Sequence, residues 1–163
     1  MTEQISEHDR HLWKQLMESY NDFSVVLGKF LLEDVDRISL MRRALRGSDQ
    51  AIALFIASYM KPTELVELFD QLVFLASFVH GSLQTVRKLI LALPREWVLA
   101  NIESVAEPLL QDGTYDEYRR FLELYIQLDR NLALKLARRA AENPDEDIHE
   151  AGEDFLEKLK PAA

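Results

Sequence analysis

One short pattern occurs three times in this chain. Gly47-Ser48-Asp49-Gln50-Ala51-Ile52, Gly81-Ser82-Leu83-Gln84-Thr85-Val86 and Gly113-Thr114-Tyr115-Asp116-Glu117-Tyr118 each open on glycine, continue with a hydroxyl residue and carry an amide or acid at the fourth place. Apolar residues follow at matched offsets: Phe55 and Ile56, Leu89 and Ile90, Phe121 and Leu122. The rows close with Tyr59, Leu93 and Tyr125. Apolar residues recurring at three and four mark the buried face of a helix. Each glycine is expected to end a preceding helix with positive φ, and each Ser or Thr to cap the next by accepting a bond from an orphan N–H. The interval lies within the range of helical repeats.

Each of these helices has a partner. Pro62 and Pro94 start two partners, where the missing N–H costs nothing, and Asp129 caps the third. The partners are expected over about 63–79, 95–111 and 130–143. The first is apolar on nearly every side, with Leu65, Val66, Leu68, Phe69, Leu72, Val73, Phe74, Leu75 and Phe78, which marks it as the most buried element. Pro108 is a possible end or kink in the second. Asn143-Pro144 stops the third, and Asp145, Glu146 and Asp147 load the start of a last helix whose core face is Ile148, Ala151, Phe155, Leu156 and Leu159.

Upstream, Ser6 and Asp9 form a pairing like a capping box, followed by Leu12, Trp13, Leu16, Met17 and Tyr20 at helical spacing. Asn21-Asp22 is expected to break or bend this helix. Phe23, Val26, Leu27, Phe30 and Leu31 form a second stripe around Gly28. Asp34 is the expected cap of a third helix that turns Val35, Ile38, Met41 and Leu45 inward.

The helix-pair units 47–80, 81–112 and 113–143 resemble HEAT or armadillo-type α-solenoid repeats. The run Ala133, Ala137, Ala140, Pro144 is similar to the second helix of a tetratricopeptide repeat. The first helix of that repeat wants a small residue where this chain has Phe55, Leu89 and Phe121. The resemblance implies an all-α fold: a short right-handed stack of antiparallel helix pairs, about nine or ten helices in one domain over 1–163. Residues 1–46 would form an N-terminal helical cap and 144–160 a C-terminal capping helix.

Five Gly, five Pro and no Cys in 163 residues argue against an all-β fold and exclude disulfides and thiolate chemistry. The first residues lack a basic stretch followed by an apolar one, and no apolar run approaches the ~20 residues that span a bilayer. A cytoplasmic protein is the simplest reading. The formal net charge of −9 opposes nucleic-acid binding through the overall field.

The function expected from this pattern is a non-enzymatic scaffold or adaptor that binds a protein or peptide partner, or its own copy, on a helical surface. No catalytic, cofactor or metal site is expected. The candidate partner-binding residues are Arg87, Lys88, Arg119, Arg120 and Tyr115. The basic pairs hold the same offsets in neighbouring units and would form a ladder for an acidic peptide or a phosphate backbone. Tyr115 lies off the apolar row and could anchor a partner. A nucleic-acid-associated repeat using this ladder is the alternative. A metal-binding or hydrolytic protein around His8, His11 and His149 is a second one. His8 and His11 share a helix face but have no third ligand, and His149 has Glu150 beside it but no nucleophile.

Overall fold

In the computed structural model, which describes residues 5–160, all regular structure is helical. The helices are α1 (Glu7–Leu32), α2 (Arg37–Leu45), α3 (Gln50–Ala57), α4 (Pro62–Leu65), α5 (Phe69–Ala76), α6 (Leu83–Leu91), α7 (Arg95–Gln111), α8 (Tyr115–Leu128), α9 (Arg130–Ala141) and α10 (Glu146–Lys158). A 3₁₀ turn, Val66–Leu68, joins α4 to α5, so the expected partner helix over 63–79 is built in three pieces. Among the described residues no helix is long and apolar enough to cross a membrane. The chain divides into two compact units, Met1–Leu40 and Met41–Ala163, the division falling within α2.

In the N-terminal unit, the Asp9 N–H donates to the Ser6 hydroxyl oxygen at 3.1 Å, and that hydroxyl donates to the Asp9 carboxylate at 2.6 Å, which starts α1 as expected. The helix does not break at Asn21-Asp22. The propensity cost of such residues is a few tenths of a kcal/mol each, too little to stop a long helix. No atom lies within 4 Å of a Cβ built on Gly28, so no close helix contact explains that glycine. The cap of α2 is Asp36, not Asp34: its carboxylate accepts the Ser39 N–H at 3.1 Å. Hydrogen bonds from Ser39 hold the Asp36 carboxyl below its usual range. The Arg37 guanidinium donates to the carbonyls of Phe30 and Glu33 at 2.5 and 3.0 Å, closing the end of α1.

In the C-terminal unit, α5 buries Phe69, Gln71, Leu72, Val73, Leu75 and Ala76 and packs on α6 and α7. Further along, α3 meets α6, α6 meets α8 and α8 meets α10, while α9 packs closely on α10. The α7 helix carries through Pro108. Pro108 and Ser104 are both exposed, so the carbonyl that loses its intrahelical partner is open to water.

Two expectations about the recurring segments are corrected. None of the glycines has positive φ. Gly47 and Gly113 donate instead to the carbonyls of Ala44 and Leu110, three residues back, at 3.1 and 3.3 Å; this tight last turn satisfies helix-end carbonyls without a left-handed residue. The glycine at 113 has a packing reason, since an added Cβ would lie 2.6 Å from the Leu109 carbonyl oxygen. Of the hydroxyl residues only Thr114 caps with its side chain, in a capping box with Glu117. Ser82 makes no such bond, and neither does Asp49, which takes the N-cap position of α3 one residue later than Ser48. That one-residue delay moves the core row. Phe55 and Tyr59 are exposed, and Ala53, Leu54 and Ala57 are buried in their place. Counted from the caps Asp49, Ser82 and Thr114, three depths are buried alike: Ala53, Val86 and Tyr118; Ala57, Ile90 and Leu122; Met60, Leu93 and Tyr125.

Candidate interaction surfaces

The expected basic ladder is folded inward. Arg87 is only 5% exposed, and its guanidinium donates to the Glu123 carboxylate at 2.5 Å and to the Arg120 carbonyl at 3.4 Å. The same carboxylate draws in Arg120 at 3.1 Å and Arg119 at 3.6 Å. Arg119 also pairs with Asp154 at 3.7 Å and lies over the Tyr115 ring, 5.6 Å from its centroid. Four of the five candidate residues thus gather around Glu123 and the start of α8, where their charge is spent on joining α6, α8 and α10. Lys88 is exposed and is not part of this cluster. The Nε atoms of Arg87 and Arg120 are buried without a hydrogen-bond partner.

A second polar arrangement lies between α7, α8 and α9. Lys135 pairs with Glu103 and Arg139 with Glu107, both at 2.6 Å, along the rim of a cleft of about 360 Å³. The Arg139 hydrogen bond holds the Glu107 carboxyl low, and Glu107 in return raises the guanidinium. Tyr125 forms part of the wall. Burial, with the nearby Glu103 and Glu107, pushes its phenol far up, and its hydroxyl is buried without a partner. With no accessible surface on that oxygen, the cleft offers a ligand two neutralised ion pairs and an apolar wall.

The histidines stand apart. His8 and His11 are exposed on α1, and among the described residues no three His, Cys, Asp or Glu come together as a metal-holding group. His149 faces Glu153 at 3.4 Å on α10. His80 closes the end of α5: its Nε2 lies 2.8 Å from the Leu75 carbonyl oxygen.

The surface that sequence reasoning misplaced is the apolar stripe of α1. Helical spacing marked it as a core face, yet α1 contains no buried residue. Leu12, Trp13, Leu16 and Tyr20 are exposed, at 50%, 62%, 56% and 61%, while Met17, Phe23, Leu27, Phe30 and Leu31 on the same side are half-buried. Periodicity shows that a helix has an apolar face; it does not show whether anything covers it. Compared with known proteins, the chain matches no protein family, no curated protein and no solved structure.

Proposed function

We propose that the chain is a non-enzymatic protein-interaction module: a short α-solenoid of helix pairs that engages a protein partner through the apolar face of α1. The observation that carries this is the bare run Leu12, Trp13, Leu16 and Tyr20 in the N-terminal part of a helix that has no fully buried residue. A contiguous apolar patch beyond a few hundred Å² is uncommon on a monomer and marks an interaction site. Aromatic anchors such as Trp13 and Tyr20 are the side chains on which interfaces concentrate their energy.

The solenoid part of the proposal is supported by the burial shared at equal depths from the caps of α3, α6 and α8. A repeated tie between units supports it further. Arg95, at the start of α7, donates to the Leu128 carbonyl at the end of α8 at 3.0 Å, and Arg130, at the start of α9, donates to the Leu159 carbonyl at the end of α10. The HEAT or armadillo-like resemblance remains the architecture we favour. The inward turn of Arg87 removes a rung from the nucleic-acid reading.

The test is affinity capture with the immobilised full chain and with its Leu16→Asp/Tyr20→Asp variant. A protein, the chain's own copy included, that is held by the wild type and lost by the variant is the expected result. Capture of nothing, or of the same proteins by both, counts against the proposal.

A further inference from the structure

We infer that the partner of the α1 face is a second copy of this chain, packed α1 against α1. The inference rests on the interaction reading above and adds the identity of the occupant.

The first ground is the helix itself. In proteins most helix stability comes from packing an apolar face rather than from intrinsic propensity. The α1 helix runs for 26 residues, buries none of them and includes Ser19, Asn21, Asp22, Ser24 and Gly28, all weak helix formers. A cover over the stripe supplies what the sequence of the helix lacks.

The second ground is register. Trp13, Tyr20 and Leu27 recur every seven residues, as do Leu16, Phe23 and Phe30, and the two series alternate by three and four. This is the a/d repeat that lets a helix pack against another of its own kind. The small residues Ser19 and Ser24 hold the positions that flank this repeat at its middle. The charges of α1 also admit a copy. Glu7, Asp9, Glu18 and Asp22 are nearly balanced by Arg10, Lys14 and Lys29, so this helix does not carry the acidity of the −9 chain.

The third ground is area. With large side chains at about 150–250 Å² each, the exposed fractions leave roughly 450 Å² bare on Leu12, Trp13, Leu16 and Tyr20. Two such faces together can remove at most about 900 Å² from these four residues, so their half-buried neighbours have to contribute for the interface to clear the ~1,000 Å² of a specific one.

Sedimentation of the full chain over about 1–100 µM tests this. The wild type is expected to pass from its 18.9 kDa monomer to twice that mass. The Leu16→Asp/Tyr20→Asp variant is expected to stay monomeric throughout, with its far-UV circular dichroism still that of a folded helical chain, since neither side chain is buried. In a Trp97→Phe background Trp13 is the only tryptophan, and its emission is expected to move to shorter wavelength as the dimer forms. A wild type that is monomeric throughout, or a variant that dimerises as well as the wild type, overturns the inference. A monomeric wild type that still captures another protein or a lipid surface through Leu16 and Tyr20 also overturns it; capture of a protein leaves the broader interaction reading standing. A monomer that captures nothing sinks both.

Discussion

Gly152 has its size fixed by backbone. A Cβ at this position would lie 2.3 Å from the Ala141 nitrogen, 2.7 Å from the Ala140 carbonyl carbon and 2.8 Å from the Ala137 oxygen. Main-chain atoms of α9 cannot swing aside as a side-chain tip can, so α10 would have to back away along a packed face. Gly152→Ala is therefore expected to cost about 1–3 kcal/mol. Thermal melting should show this as a fall of roughly 2–4 °C per kcal/mol. Gly28 has the opposite surroundings, with open space where the Cβ would go. Gly28→Ala should leave the melting temperature unchanged or raise it, because alanine is the better helix former. Nothing in the sequence separates these two glycines: both lie inside apolar helical patterns, and only the opposing backbone tells them apart. Of the glycines placed at the heads of the recurring segments, 47 and 113 close a preceding helix as expected but without the left-handed backbone, and Gly81 lies five residues past the end of α5 at Ala76. Helix ends closed by a tight i to i−3 bond do not require it.

At the scale of elements, most of the helices could be read in the chain from the caps and prolines that bound them. Asp129 receives the N–H groups of Asn131 and Leu132, and Asp145 those of Asp147 and Ile148. The register of α3 was less legible. Aligning the segments on glycine placed Phe55 and Tyr59 in the core, whereas the helix starts at its cap, and Asp49 comes one residue late. A one-residue slip turns a helix by about 100°, enough to exchange an inward row for an outward one. The basic pairs misled for a related reason. Glu123, three and four residues after Arg120 and Arg119, is close enough in the chain to neutralise part of that pair; offset alone could not show that Arg87 of α6 would turn in on the same carboxylate. Arg87 now joins α6 to α8 with almost no access to water, so the carboxylate is what makes its burial tolerable. Glu123→Ala should cost about 3 kcal/mol or more by leaving that guanidinium uncompensated. Adding Arg87→Met, which removes the charge and keeps the bulk, should return part of the loss. Urea titration of the two single variants and the double variant measures this. A double variant less stable than Glu123→Ala would mean that Arg87 contributes more than its charge.

Across the whole molecule, the chain joins two kinds of helix. Those after Met41 share a common apolar core in which Leu72, Phe121, Leu122 and Ala137 are fully enclosed. The long α1 helix has an equally clear stripe and buries no residue. Amide exchange reads this difference directly, because protection follows the free energy of opening each segment. Amides of α5, α8 and α9 should exchange slowly and at rates independent of protein concentration. Amides of α1 between Leu12 and Leu27 should exchange quickly in dilute solution. They should slow as the concentration rises, because a second copy stabilises the helix it covers by mass action. The Leu16→Asp/Tyr20→Asp variant should lose that dependence and keep the protection of the other helices. Slow α1 exchange at every concentration, in wild type and variant alike, would mean that α1 draws its stability from within its own chain. The stripe would then need no second molecule to explain it.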